Sequence, residues 1–298
     1  MADHEFGGDW TELKLAVVKA YLVFFTTALK NQTFKTVYID AFAGSGERVQ
    51  TNKDAPIFGE GETKERFAGS AMIALKTRPP FHSYHFIEKK PSFYRQLKQE
   101  VTDYAVSHGL DARCYPGTAE EHLKTIITQH VIETNNRAVL FLDPYGLDVS
   151  WEMLEFIQAT EKIDIFYLFS LSGIYRNMTI KFANLDTDKI NSLNRTLGTT
   201  EWQTEFYRTP DTHKQGQMDM FSTPETRCDR QETPVEIESY LRQRLSKLFP
   251  YVSAPIALPP RGNGAQLFSL FFCMSNPNKR ALELGNKVYS HIFKKITG

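Results

Sequence analysis

Residues 36–46 read TVYIDAFAGSG, and they encode a strand that runs directly into a glycine-rich turn. The β-branched and aromatic residues favour the strand, while Gly44 and Gly46 favour the turn. Glycines let a backbone pass close to a ligand and present its N–H groups, and Asp40 at the strand end can accept hydrogen bonds. The pattern fits a binding loop, and it also fits an ordinary turn after a strand.

Strands and helices alternate along the chain beyond this turn. Further strands are predicted at 83–88, 112–115, 138–143 and 163–171, with helices at 69–76, 91–104, 118–132 and 151–159. Such alternation is typical of a parallel sheet with helices on both faces. Later in the chain, 252–258 and 266–273 flank the turn PPRGNG and are expected to pair antiparallel. We therefore predict an α/β, Rossmann-like fold with a mostly parallel sheet and a late antiparallel strand pair.

The domain organisation follows from the same patterns. Residues 11–30 predict a helix that is apolar nearly all round, so an N-terminal helical segment, 1–35, is expected to pack on the core. The main domain is predicted to span 36–298. Two stretches, at about 47–68 and 174–233, are interpreted as insertions, and 208–233 contains only four apolar residues.

The composition excludes several classes of protein. The 298 residues include 35 Lys plus Arg and 35 Asp plus Glu, and 41% are hydrophobic, which excludes a polybasic nucleic-acid coat and argues against disorder. No secretory signal is evident, and Lys14 and Lys19 interrupt the apolar stretch 13–29, so we expect a cytoplasmic protein without membrane contact. Three separated cysteines and ungrouped histidines predict no metal site and no disulfide framework.

The second strand ends in an acidic residue, Glu88. It follows Gly46 by 42 residues, and by 20 once the 22-residue insertion 47–68 is removed, close to the spacing of about 20 at which a ribose-binding acid is found. The alternative is a surface pair of Glu88 with Lys89 or Lys90. Residues 48 and 49 are Arg and Val, so both the dinucleotide fingerprint and the Walker loop fail.

The fourth strand ends in Asp143-Pro144-Tyr145-Gly146. The Asp143 carboxylate and an adjacent carbonyl can both accept hydrogen bonds from a planar exocyclic amine, which would orient the nitrogen toward a methyl donor. Tyr145 could stack on a flipped base. The alternative is a plain Asp-Pro turn that closes a buried strand.

Together these motifs resemble those of class I S-adenosylmethionine-dependent methyltransferases over roughly residues 36–275. The resemblance implies that fold and implies S-adenosylmethionine as cofactor. It assigns Asp143, Pro144 and Tyr145 to catalysis. It places the cofactor against Asp40, Phe42, Gly44, Ser45, Gly46, Glu88, Thr118 and Ala119.

More narrowly, the chain resembles the three-Cys-motif partner protein family, a bacterial and phage group within the same superfamily. The resemblance rests on GDWT at 8–11, KL at 14–15, YIDAFAGSG at 38–46, FIEK at 86–89 and FLDPYG at 141–146. The family name refers to cysteines of a neighbouring radical-SAM-like protein, which the resemblance makes an expected partner.

Two departures from the methyltransferase pattern bear on activity. Amino-methyltransferases carry Asp-Pro-Pro-Tyr, whereas this chain has one proline before Tyr145. The third strand also lacks the acid that usually holds the adenine amine. The leading hypothesis is N-methylation of a nucleobase in RNA or DNA, and the alternative is a non-catalytic cofactor-binding partner subunit.

Two further features leave alternatives open. Lys14 and Trp10 either approach the donor or substrate, or occupy an ordinary helix-start position. Residues 239–298 carry nine Lys or Arg and one acidic residue, a net charge of +8, which leaves −8 for the remainder. This basic segment predicts either contact with a nucleic-acid substrate or a solvated surface.

Overall fold

The structure is a computed structural model that describes residues 9–51, 64–207, 233–259 and 265–297. The strands are β1 (Thr36–Asp40), β2 (Glu47–Thr51), β3 (Lys64–Ala68), β4 (Ser83–Glu88), β5 (Ala112–Pro116), β6 (Arg137–Leu142), β7 (Ile163–Ser170), β8 (Tyr251–Val252), β9 (Ile256–Leu258) and β10 (Phe268–Met274). The helices are α1 (Asp9–Leu29), α2 (Ser70–Leu75), α3 (Pro91–His108), α4 (Ala119–Ile127), α5 (Trp151–Ala159), α6 (Leu171–Asn177), α7 (Thr187–Leu197), α8 (Trp202–Phe206), α9 (Pro234–Leu248) and α10 (Lys279–Thr297).

One sheet organises the molecule, with strands in the order β5-β4-β1-β6-β7-β10-β8 and β9 paired to β10. The five strands from β5 to β7 are parallel, and β10 runs antiparallel to β7. The chain starts at the central strand β1, builds outward to β5, and then returns to build outward from β6. This reversal is the Rossmann-like topology, so the predicted fold class is confirmed.

Helices cover both faces of the sheet, because the four inner parallel strands, β1, β4, β6 and β7, are buried almost throughout their length. Helices α1, α2, α3 and α10 pack on the face that carries Tyr38. Helices α4 to α7 and α9 pack on the face that carries Val37 and Ile39. Because successive side chains of a strand point to opposite faces of the sheet, β1 contributes residues to two separate hydrophobic cores.

The predicted late strand pair is present, but its first member is split. Residues 252–258 form β8 and β9, which both pair with β10. Pro255 lies between them and has no N–H to contribute to a ladder. Ser253 bridges the gap, since its N–H donates to the Phe272 carbonyl at 2.9 Å and its hydroxyl accepts from the Phe272 N–H at 3.0 Å.

The segments outside the main sheet agree in part with the predictions made from the sequence. The ends of the stretch 47–68 form an antiparallel hairpin, β2 with β3. Residues 174–207 are largely helical, and of the predicted insertion 208–233 all but Thr233 lies outside the described residues. No helix in the described part of the chain is long and apolar enough to cross a membrane.

Candidate functional site

The loop after β1 passes over the crevice between two strands. The Ala41 N–H donates to the Phe141 carbonyl at 3.1 Å, and the Ala43 N–H donates to the Ile87 carbonyl at 2.9 Å. Gly44 and Gly46 then take φ values of +65° and +86°, a region that L side chains rarely adopt. The chain therefore reverses at the carboxyl edge of the sheet, at the topological switch point beside β1.

Glu88, at the end of β4, holds this loop in place. Its side chain is buried, with 2% of the residue exposed. Oε2 accepts a hydrogen bond from the Gly44 N–H at 2.9 Å, and Oε1 accepts one from the Lys90 N–H at 2.7 Å. The alternative of a surface pair is wrong, because Glu88 accepts from backbone and Lys89 pairs with Asp148 instead, at 3.7 Å.

The two backbone hydrogen bonds leave Glu88 with accepting capacity. A carboxylate offers about four lone-pair positions, and one on each oxygen is used by the protein. The remaining position on each oxygen lets the group accept two neighbouring hydroxyls at once. The backbone N–H groups meanwhile fix the orientation of the carboxylate.

A cavity of about 260 Å³ opens beside Glu88, close to the lower end of the range of small-molecule sites. The lining residues come from five separate parts of the chain. They are Ala41, Phe42, Glu88, Lys89, Gly117, Thr118, Ala119, Glu120, Tyr145, Asp148 and Arg195. The structure thus brings together five of the predicted residues, namely Phe42, Glu88, Thr118, Ala119 and Tyr145.

The N-terminus of α4 forms one wall of the cavity. Thr118 caps the helix: its hydroxyl accepts from the Glu121 N–H at 3.3 Å, and the Glu121 carboxylate accepts from the Thr118 N–H at 2.6 Å. The first N–H groups of a helix have no intrahelical acceptor, so those of Ala119 and Glu120 remain available at the cavity wall. Backbone donors are therefore present where the usual third-strand acid is missing.

Two long ion pairs border the same cavity. Lys89 and Asp148 approach to 3.7 Å, and Arg195 and Glu120 approach to 3.9 Å. Arg195 also donates to the Leu147 carbonyl at 2.6 Å, which anchors α7 to the loop after β6. Sequence reasoning missed Arg195 because it comes from a helix far along the chain and carries no local motif.

Asp40 lies beneath the loop and outside the cavity lining. Its carboxylate is fully buried and accepts from the Phe42 N–H at 3.2 Å. Burial raises the pKa of Asp40 to about 7, against the lowering effects of the Ser70 hydroxyl and of that N–H. Asp143 raises this pKa further and Lys14 lowers it.

Gly44, Ser45 and Gly46 also lie outside the lining. The Gly46 carbonyl accepts from the Gly69 N–H at 2.8 Å, and a side chain at position 46 would meet Glu100 and Leu97. Gly46 therefore packs the loop against α2 and α3. Ser45 lies half-buried between the two glycines.

The loop after β6 places Asp143, Pro144 and Tyr145 next to one another at the same edge. Asp143 Oδ2 accepts from the Lys14 Nζ at 2.5 Å, Pro144 is buried, and Tyr145 lines the cavity with 56% of the residue exposed. Partial burial, followed by the charges of Glu88 and Asp143, raises the pKa of the Tyr145 hydroxyl to about 12, so the ring is neutral at physiological pH.

The structure resolves the question of Lys14. It lies within α1, is buried, and pairs with Asp143 across 129 residues of sequence. Trp10, one turn earlier, stacks on Phe268 with ring centroids 5.3 Å apart. Lys14 is therefore part of the candidate site and not an ordinary helix-start residue. Among the residues described, no cluster of His, Cys, Asp and Glu could hold a metal ion.

Comparison with known proteins finds no matching family model and no matching curated protein. Among solved structures, protein LPL1258 from Legionella pneumophila, of family-model DUF519, aligns with a TM-score of 0.51 and 11% identity over 95% of this chain and 94% of that chain. Trm1 from Pyrococcus horikoshii, solved with S-adenosyl-L-methionine, aligns with a TM-score of 0.40 and 9% identity over 92% of this chain and 58% of that chain. The chain therefore shares its fold with the Legionella protein.

Proposed function

We propose that the protein is an S-adenosylmethionine-dependent methyltransferase that N-methylates a nucleobase in RNA or DNA. The observation that carries the proposal is the state of Glu88. Its carboxylate is buried, fixed by two backbone N–H groups, and still able to accept one hydrogen bond on each oxygen beside a cavity. This arrangement suits the two neighbouring hydroxyls of a ribose.

The remaining walls of the cavity fit the rest of a nucleoside. The free N–H groups of Ala119 and Glu120 can donate to a ring nitrogen of adenine, and Phe42 offers apolar surface. In this assignment the Gly44–Gly46 loop, supported from below by Asp40, faces the methionine part. When bound, S-adenosylmethionine would supply its sulfonium methyl group to a nitrogen lone pair and leave as the thioether S-adenosylhomocysteine, and the methylated nitrogen would give one proton to water.

The loop after β6 would hold the methyl acceptor. The Asp143 carboxylate and the Pro144 carbonyl can each accept a hydrogen bond from an exocyclic amine, which turns its lone pair toward the donor. The exposed ring of Tyr145 offers a stacking surface for the base. On this view catalysis comes mainly from proximity and orientation.

The basic segment 239–298 supports a nucleic-acid substrate. Its last helix, α10, exposes Arg280, Lys287 and Lys294, which lie on one face because seven residues make about two turns. Gly285 packs on Met274 and Tyr289 stacks on Phe272, so α10 runs back along β10 toward the edge that carries Asp143.

The strand on which α10 packs, β10, is two positions from β6 in the sheet. Only β7 separates β10 from β6, a lateral distance of about 10 Å at ordinary strand spacing. A nucleic-acid strand whose target base lies at Asp143 can therefore place its neighbouring phosphates near this face of α10.

A second candidate function is a non-catalytic, cofactor-binding partner subunit of a radical-SAM-like three-Cys-motif protein. The observation that favours it is the Lys14–Asp143 ion pair, which already occupies one oxygen of the proposed acceptor carboxylate. In this case Glu88 would still bind the nucleoside, but no methyl group would be transferred.

Calorimetric titration with S-adenosylmethionine, followed by incubation with a methyl-labelled donor and total RNA or genomic DNA, separates the two functions. Binding together with label in a methylated base supports the methyltransferase. Binding with no label in RNA or DNA supports the partner subunit. A wild-type protein that does not bind the donor refutes both.

A further inference from the structure

The ion pair between Lys14 and Asp143 is unusual in its burial. The Lys14 side chain is 6% exposed and that of Asp143 is 26% exposed, with Nζ and Oδ2 2.5 Å apart. Lysine is almost never buried without a partner, because its ammonium loses strong hydration. The fold therefore places a cation at this point despite the cost of desolvation.

The surroundings of Lys14 fix the position of its ammonium. Nζ lies 5.7 Å from the ring centroid of Phe141 and 6.0 Å from that of Trp10. Phe141 belongs to β6, two residues before Asp143, and Trp10 is braced by its stack on Phe268. The ammonium can therefore move little, and its partner oxygen is fixed with it.

The titratable groups around this pair are carboxyl groups and tyrosine hydroxyls. Asp40 and Tyr38 face Asp143 from β1, and Tyr145 faces it from the same loop, with Glu88 beyond Tyr145. Lys14 acts as a cation on both Asp40 and Asp143. It lowers the pKa of Asp40, against the raising effects of burial and of Asp143.

We infer that Lys14 is a positioning residue for methyl transfer, which acts by holding Oδ2 of Asp143 so that Oδ1 and the Pro144 carbonyl are left to receive the amine. This inference rests on the proposed function. It makes the N-terminal helix α1 part of the active site. It also assigns Asp143 the role of a charged hydrogen-bond acceptor rather than of the base that removes the proton.

The test is a comparison of three variants over pH 6 to pH 9, with total RNA and genomic DNA as methyl acceptors. Lys14→Gln keeps a hydrogen-bond donor but removes the charge, and Lys14→Arg keeps the charge. Lys19→Met serves as the control, because Lys19 is an exposed lysine on the same helix. Donor affinity is measured in parallel by calorimetry.

We expect Lys14→Gln to lower kcat about 100-fold near neutral pH, as small misplacements of reacting groups do. Its KM and Kd for S-adenosylmethionine should stay unchanged. The loss should be confined to kcat, because the variant misplaces the carboxylate of Asp143 and leaves the donor cavity beside Glu88 intact. Lys14→Arg should keep most of the wild-type kcat, and Lys19→Met should match the wild type in every respect.

Two results overturn the inference while the proposed function stands. One is an active wild type with a Lys14→Gln variant that matches it at every pH. The other is a Lys14→Gln loss that appears in the Kd for S-adenosylmethionine as much as in kcat, as a purely structural contact would give. If Lys14→Gln does not fold, Lys14→Arg decides. A kcat near that of the wild type supports the inference, and a kcat lowered together with the donor affinity overturns it. A wild type that transfers no methyl group overturns the proposed function and this inference with it.

Discussion

Replacing Glu88 by alanine should abolish most of the donor affinity. In the proposed complex each oxygen of the carboxylate accepts one ribose hydroxyl, in addition to the backbone N–H that it already receives. A hydrogen bond to a charged group contributes about 1.5 to 3 kcal/mol. Two such bonds predict a loss of at least about 3 kcal/mol, or about 100-fold in Kd.

The same substitution also removes an internal support. The N–H groups of Gly44 and Lys90 lose their acceptor, which should lower the free energy of unfolding by about 2 kcal/mol. Urea unfolding measures this loss separately, and calorimetry at a temperature where the variant stays folded measures the binding. The two effects are therefore distinguishable.

Glu120→Gln is the matched control for Glu88→Ala. Glu120 lines the same cavity but stands at its rim, where its partner Arg195 is 3.9 Å away. Exposed ion pairs contribute about 0 to 1 kcal/mol, so this variant should bind the donor nearly as the wild type does. Adenosine and 2′-deoxyadenosine provide a second control, since loss of the 2′-hydroxyl should weaken binding to the wild type and not to Glu88→Ala. Unchanged donor affinity in Glu88→Ala would refute the ribose assignment.

The other predictions concern the substrate side and the pH dependence. Tyr145→Ala should raise the KM for the nucleic acid by about 5-fold to 150-fold, because base stacking contributes about 1 to 3 kcal/mol, and it should leave the Kd of the donor unchanged. Tyr145→Phe keeps the ring and should behave as the wild type in steady-state assays. The double variant Lys287→Gln/Lys294→Gln should weaken RNA or DNA binding and reduce the slope of log K for that binding against log salt by about 2. Lys30→Gln, at the opposite edge of the sheet, should change neither, and fluorescence anisotropy measures both. Burial raises the pKa of Asp164 from 3.8 to about 7, so its contribution to stability is present below pH 4 and lost as the pH rises to about 7. In that window Asp164 should make the free energy of unfolding of the wild type change by up to about 1.4 kcal/mol per pH unit, and Asp164→Asn should lack this change. Urea unfolding at several pH values measures the difference, and an unaltered pH dependence would contradict this assignment.

Local signals in the sequence predicted the five parallel strands and, to within two residues, the carboxyl end of each. The run 36–46 gave both β1 and its turn, and subtracting the stretch 47–68 gave the spacing that singled out Glu88. These features depend on residues close together in the chain. They are found in the structure because strand period, glycine conformation and turn chemistry are local properties.

Long-range partners could not be predicted in the same way. The contact of Lys14 with Asp143 depends on the path of α1 over the sheet, and Arg195 reaches the cavity only because α7 folds back onto the loop after β6. Thr118 is a different case. Thr118 and Glu121 form a capping box, a pattern visible in the sequence, which would have identified Thr118 as a helix cap as well as a predicted cofactor-binding residue.

Methyl transfer from a labelled donor is the most direct test of the central claim. Wild-type protein incubated with methyl-labelled S-adenosylmethionine and either total RNA or genomic DNA should yield a labelled N-methylated nucleoside after digestion. Asp143→Asn should bind the donor with the affinity of the wild type and yield none. Donor binding by the wild type with no label in any nucleoside would contradict the methyltransferase assignment and leave the partner subunit in its place.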